Sequence, residues 1–433
     1  DLTAERAVEL YLERIDESDP LDKSVIERNP DALDMARRLD EERRQGALRG
    51  PLHGAPILIK DNIDTADKMQ TTAGSLALEG SIARKDSAVA ERLRAAGAVI
   101  LGKTNLSEWA NFRGSDSTSG WSGRGGLTRN PYALDRNACG SSSGSGAAAA
   151  ASLCAAAVGT ETNGSVVCPS SINGLVGVKP TLGMIPQAGI VPIAHSQDTA
   201  GPMARTVLDA ALLLDALASS PNKERVSCAE ACKPGALKGA RIGVARQLMG
   251  FRDDVDWLVE EALAALKSEG AEVVDIEGLP ERGETGSAGY TVMLYEYKAD
   301  LNQYLSGLRP EVAVKSMEDV IAFNLANADR ELQYFGQEHF ERAVEKGSLE
   351  ELEYREALAL TKRMAQAEGI DKAVETYELD AILAPTTGPA WTTDLIHGDH
   401  GSGGSSSLAA RAGYPNVTVP MGDIHGLPVG VSF

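Results

Sequence analysis

Apolar residues recur at helical spacing from the start of the chain. Between Leu2 and Ile15, positions Ala7, Val8, Leu10, Tyr11 and Ile15 fall on one side of a helix with charged residues between them. Asp19-Pro20 breaks that run, and residues 31–45 predict a second helix. The pattern then changes. After a loop over 50–56, the unbroken run Ile57-Leu58-Ile59 predicts a buried strand ending on Lys60-Asp61. A helix capped by Asp86 or Ser87 runs to Ala96, Gly97 stops it, and 98–101 predicts the next strand. Strand–helix–strand alternation of this kind predicts an α/β sheet with helical crossovers. Further strands are expected at 175–178, 241–245, 272–276, 380–383, 417–419 and 429–433. Alanine-rich 146–157 predicts a helix. Residues 288–375 predict nearly continuous amphipathic helix, broken near 307–310 and 347–348. No composition shift marks a linker and no repeat is visible. The expectation is one large α/β domain over 1–433 with a mainly helical insertion at about 288–375.

Charge narrows the function classes. Lys and Arg number 42 against 62 Asp and Glu, a net charge of −20, which argues against gripping phosphate backbones or an anionic membrane surface. No apolar run reaches the roughly 18 residues needed to cross a bilayer, and no signal-peptide pattern stands at Asp1. A cytoplasmic protein is expected, with secretion left open because the sequence does not begin with Met. Five cysteines in a chain this long argue against a disulfide scaffold. Cys228 and Cys232 lack a second Cys/His pair at zinc spacing and read as thiols on a loop or helix end.

Residues 111–146 are rich in Gly, Ser, Asn and Thr, and so read as a long loop, a feature more often functional than accidental. Two small-residue segments stand out: Cys139 to Gly146, and Gly159-Thr160-Glu161-Thr162-Asn163-Gly164-Ser165. Small residues let backbone N–H groups approach developing negative charge, and a hydroxyl there becomes a nucleophile if a base takes its proton. Taken alone, either segment also reads as a flexible turn. Gly140-Ser141-Ser142-Ser143-Gly144 matches a G-x-S-x-G elbow with Ser142 as nucleophile, but no strand precedes it. A phosphate loop would need a Gly-Lys-Ser/Thr ending, which is absent. The six histidines, His53, His195, His339, His397, His400 and His425, form no metal motif, so no metal is expected. His195 precedes Ser196-Gln197-Asp198 and is placed to approach a site containing Asp198. Trp109, Phe112 and Trp121 read equally as pocket lining for an acyl group or as packing.

Taken together, Gly54 to Asp61, Gly140 to Gly146, Gly159 to Lys179, and Ser196 to Met203 resemble the amidase signature family. Ala384 to Thr387 and Gly413 to Met421 agree less sharply. The segments Asn111 to Ser122 and Arg129 to Tyr132 are most similar to the peptide amidases of that family, which remove the amide from peptide C-termini. The resemblance implies a mixed, twisted β-sheet covered by helices on both faces, and a cofactor-free serine hydrolase. Ser165 is then the nucleophile, Ser141, 24 positions earlier and following a cis Gly140–Ser141 bond, the bridging serine, and Lys60 the general base. Backbone N–H groups of Thr162, Asn163, Gly164 and Ser165 are implied as the oxyanion hole, with Gly140, Ser142 and Asp198 in support. Asn163 stands where many relatives carry Gly. A further helix is implied after 426–433, beyond the last residue, Phe433. The expected partner is a small-molecule or peptide amide, with no nucleic acid and no membrane, in a monomer or homodimer. Aryl amides, carbamates and esters fit the same acyl-transfer geometry, and the glutamine-amidase component of tRNA-dependent amidotransferases or a non-catalytic binding module are other classes of answer. For the bottom-up chemistry, the lysine decides. At its ordinary pKa of ~10.4 only about one Lys in 2,500 is neutral at pH 7, and burial at a strand end would raise that fraction.

Overall fold

Strand alternation sorts the first half of the chain into two layers. Ile57 and Ile59 point to one side of their strand and join a core with Val89, Leu93, Leu213 and Leu217, whereas Leu58 points to the other and joins Val8, Ala36, Ala148 and Leu153. Each face is therefore covered by its own helices. The structure is a computed structural model that describes residues 2–218, 227–280 and 282–433. Its central sheet has eleven strands: β1 (Val25–Arg28), β2 (Pro56–Lys60), β3 (Val99–Thr104), β4 (Ala156–Glu161), β5 (Val176–Lys179), β6 (Thr199–Ala204), β7 (Arg241–Val244), β8 (Glu272–Asp275), β9 (Ala381–Pro385), β10 (Asn416–Ile424) and β11 (Leu427–Ser432). The order across the sheet is β1-β3-β2-β4-β6-β5-β10-β11-β9-β7-β8. β2 runs parallel to both β3 and β4, β6 runs antiparallel to β4 and β5, and β7 is parallel to β8 and β9. The sheet is mixed, with helices on both faces, as the resemblance implied.

Helices α1 (Ala4–Asp22), α2 (Ala32–Arg44) and α4 (Ser143–Ala150) supply the side chains packed around Leu58, while α3 (Ala88–Ala95) and α6 (Val207–Leu217) pack around Ile57 and Ile59. A short α5 (Val167–Ile172) follows β4. Between β8 and β9 the chain is helical, from Arg282–Ser306 through Met317–Ala326, Ala328–Glu331, Glu338–Val344 and Leu352–Ala365 to Asp371–Tyr377.

Three sequence expectations change. The first helix does not stop at Asp19-Pro20. It passes through Pro20 and ends at Lys23, which takes a left-handed conformation and returns its N–H to Asp19 O. The alanine-rich 146–157 helix ends at Ala150, and Ala156-Ala157 belong to β4. Alanine propensity gives way here to pairing on both sides, because β4 is hydrogen-bonded to β2 and β6. Finally, one disulfide exists among the described residues, Cys139–Cys168, between the segment before Ser141 and α5. The odd count concealed it, since Cys154 is buried and unbridged. Cys228 opens a four-residue helix and Cys232 caps its end; neither is bridged.

A buried ion pair fixes the helical run to the sheet loops. Arg113, Glu108 and Glu331 have fully buried side chains. Arg113 bonds Glu108 at 2.6 Å and donates to Phe335 O and Gly336 O, with its guanidinium 4.0 Å from the Phe335 ring centroid. Glu331 accepts from Leu76 N at 2.7 Å, and Glu108 from Gly123 N at 2.6 Å. Trp109, Phe112 and Trp121 pack as buried aromatics around this region, with Trp109 edge-on to Phe340 and Trp121 edge-on to Phe335.

Candidate active site

Lys60 ends β2 on the same face as Leu58, which aims its side chain at the start of α4 rather than at solvent. The side chain is completely buried. Its Nζ lies 2.7 Å from Ser141 Oγ, 2.9 Å from Thr160 Oγ1 and 3.3 Å from Thr160 O. Burial pulls the amine down from 10.5 to about 7, against the opposing pull of Asp198 and Glu161. The Gly140–Ser141 peptide bond is cis. Ser141 is 1% exposed, and its carbonyl accepts from Ser107 N.

Ser142 clamps the strand carrying Thr160. Its Oγ donates to Thr160 O at 3.0 Å and accepts from Thr160 N at 3.1 Å, and its N–H donates to Ser165 O at 3.2 Å. Gly159 must lack a side chain, because a Cβ there would stand 2.7 Å from Ser142 Oγ and 2.9 Å from Met203 Sδ. The Gly140 to Gly146 and Gly159 to Ser165 segments are thereby held side by side, with Lys60 against the first. Ser165 is half-buried, in the turn between β4 and α5.

Glu161 organises that turn. Only 1% exposed, its carboxylate accepts from Gly164 N at 2.8 Å, Val166 N at 2.8 Å and Val167 N at 3.0 Å. Gly164 takes φ +86°, a left-handed conformation that glycine adopts without strain. Its N–H is spent on Glu161, which removes it from the four amides expected to face an oxyanion. Asn163, the departure from the common glycine, is not left-handed; its Oδ1 accepts from Ser406 Oγ at 2.7 Å and its Nδ2 donates to Ser407 Oγ at 3.4 Å. Asp198 lies behind the turn, accepting from Thr162 Oγ1 at 2.5 Å, Ile193 N at 2.8 Å and Ala194 N at 2.9 Å. Burial lifts its carboxyl to about 7 despite those donors. His195 turns away from this cluster to Asp300, with Nδ1 2.8 Å from Oδ2. His397 pairs with Asp394 in an exposed loop.

Sequence reasoning passes over Thr160, Glu161 and Asn62 as individual residues. Thr160 and Glu161 lie inside a segment singled out for its glycines and hydroxyls, and a lone acid between two threonines is the available signal. Asn62 donates to Thr160 Oγ1 at 3.0 Å, two residues after Lys60.

A buried amine beside a hydroxyl next to a small-residue turn is equipment for acyl transfer through a serine. The amidase family model matches residues 6–433, and the chain belongs to that family. It is an amidase, a hydrolase of carbon–nitrogen bonds. The solved peptide amidase of Stenotrophomonas maltophilia is 49% identical and superimposes with a TM-score of 0.94, covering 100% of this chain and 90% of that one. A peptide amidase bound to the competitive inhibitor chymostatin, also 49% identical over the same shares, gives 0.96. A protein described as a probable amidase from Arabidopsis thaliana is 41% identical over 451 residues, 100% of this chain and 83% of that protein. A glutamyl-tRNA(Gln) amidotransferase component from Symbiobacterium thermophilum is 35% identical, covering 100% of this chain and 89% of its own length.

Proposed function

We propose that this amidase hydrolyses the terminal carboxamide of peptides and similar small amides through a Ser165–Ser141–Lys60 relay. The observation that carries the reading is the fully buried Lys60 amine, brought to about 7 and 2.7 Å from Ser141 Oγ. At that value about half of the lysines are neutral at pH 7, against about one in 2,500 for an ordinary lysine. Neutral Lys60 takes the Ser141 proton as Ser141 takes that of Ser165. The Ser165 oxygen attacks the amide carbonyl, and the amides of Thr162, Asn163 and Ser165 receive the oxyanion, each donor worth roughly 3–4 kcal/mol. The relay proton then passes back through Ser141 to the departing nitrogen, the carbon–nitrogen bond breaks, and ammonia leaves. Water attacks the acyl-enzyme by the same relay in reverse.

Two observations support a peptide amide as substrate: the 49% identity to solved peptide amidases over the whole chain, and the resemblance of 111–132 to them. The direct test is ammonia release from a panel of amidated peptides, aryl amides and carbamates, with Ser165→Ala as control. Fastest release from amidated peptides, abolished in the variant, is expected. A fluorophosphonate label recovered on a residue other than Ser165 would remove the nucleophile from the scheme.

A further inference from the structure

The segment that follows β9 reaches back to the active-site turn and holds one of its residues by the side chain. Ser406 Oγ donates to Asn163 Oδ1 at 2.7 Å, and Asn163 Nδ2 donates to Ser407 Oγ at 3.4 Å. Both ends of that amide are thus occupied by serines far along the chain. Ser406 also sits close to the next residue of the turn, because a Cβ on Gly164 would stand 3.1 Å from its Oγ. The two serines open the helix Ser406–Ala412, and their place is set from the sheet. Thr386 directly follows β9; its N–H donates to Gly430 O at 2.9 Å and its carbonyl accepts from Ser405 N at 3.3 Å. Its hydroxyl is 2.6 Å from that of Thr418 on β10 and 2.9 Å from that of Ser432 on β11. A run of hydrogen bonds therefore starts on three strands and ends on Asn163.

The main chain of the turn is what this side chain can steer. Thr162 and Gly164 are buried, whereas Asn163 and Ser165 are half-buried. Glu161 takes the N–H groups of Gly164, Val166 and Val167. Among the described residues nothing accepts from the N–H of Asn163 or of Ser165, so two donors stand unspent at the two partly open positions. The peptide plane carrying the Gly164 N–H is fixed by Glu161. The plane carrying the Asn163 N–H has no bond through that N–H, and the Asn163 side chain, bonded at both ends, limits its rotation. Alignment matters here, because a donor stabilises developing charge only at short distance and near-linear angle.

We infer that Ser406 is a positioning residue for amide hydrolysis: through the Asn163 side chain it fixes the direction of the Asn163 N–H, and so sets how well the turn receives the negatively charged oxygen. This deepens the proposed function and rests on its oxyanion turn. Ser406 acts through Asn163 alone.

The test uses one amidated dipeptide, the aldehyde of the same sequence and the corresponding alcohol. The aldehyde adds the Ser165 oxygen to give a hemiacetal with an oxyanion, whereas the alcohol binds without one. In Ser406→Ala, kcat is expected to fall about five- to tenfold with KM little changed, the size of one neutral hydrogen bond. Affinity for the aldehyde should fall by the same factor and affinity for the alcohol should hold. In an Asn163→Gly background, Ser406→Ala should have no further effect, since the side chain it acts on is gone. Wild-type kcat in Ser406→Ala, a loss confined to KM, equal losses for aldehyde and alcohol, or full additivity with Asn163→Gly overturns the inference while leaving the relay standing. If Ser406→Ala does not fold, Asn163→Gly alone decides: it should lower kcat and aldehyde affinity together and spare the alcohol, and wild-type values for it overturn the inference. Undiminished turnover in Ser165→Ala overturns both the inference and the relay.

Discussion

The smallest part on which the chemistry depends is the nitrogen of Lys60. Because its pKa in the folded protein is about 7, kcat/KM for amide hydrolysis should rise about tenfold per pH unit below 7 and level off above it. A steady-state profile from about pH 5 to 9 checks this. Asp198 opposes the fall of that pKa, so Asp198→Asn should move the limb to lower pH; a limb that stays in place would assign it to another group. The same burial affects stability. An unfolded lysine still binds its proton near pH 10 and the folded one releases it near 7, so the penalty is full below 7 and disappears as pH rises through that window. Lys60→Met should therefore abolish turnover yet raise the melting temperature at pH 6, with the gain shrinking toward pH 10. Calorimetry at several pH values measures it. Lys60 was legible in the sequence because it follows three apolar strand residues and sits among matching motifs. Glu161 was not legible as a turn organiser, since nothing in its neighbours says that its oxygens meet three later amides.

Among the elements, most strands and helices could be read from periodicity, and two of the strands that could not, β4 and β6, share a cause. Apart from Val158, Glu161 and Met203, β4 and β6 are built of Ala, Gly, Thr and Pro, and at their glycines the neighbours come too close for a side chain. A Cβ at Gly201 would lie 2.1 Å from Val178 O. Such strands carry little apolar signal, and the alanines of β4 mimic a helix. The same closeness makes Ser142 a fastening between α4 and β4. Ser142→Ala leaves the buried Thr160 N–H and C=O without that partner and should cost about 1–3 kcal/mol in denaturant unfolding. It should also slow turnover, because Thr160 holds Lys60.

For the molecule as a whole, the Cys139–Cys168 bond closes a loop of 29 residues that contains Ser141 and Ser165. A loop of that length is worth about 3–4 kcal/mol in the chain-entropy picture. Thiol titration of the denatured, unreduced protein should find three of the five cysteines reactive, and all five after reduction. A bond of this kind persists in oxidising surroundings, which weighs against the cytoplasmic expectation. No helix among the described residues is long and apolar enough to cross a membrane.

Arg113 has a last implication. Burial and the nearby Glu331 hold Glu108 well above the usual carboxylate range, against the pull of Arg113, and removing any one member would leave another buried without its partner. Swinging the helices after β8 outward would break the bonds from Arg113 to Phe335 O and Gly336 O and from Leu76 N to Glu331. These cross-links tie the helices after β8 to the loops that precede β4.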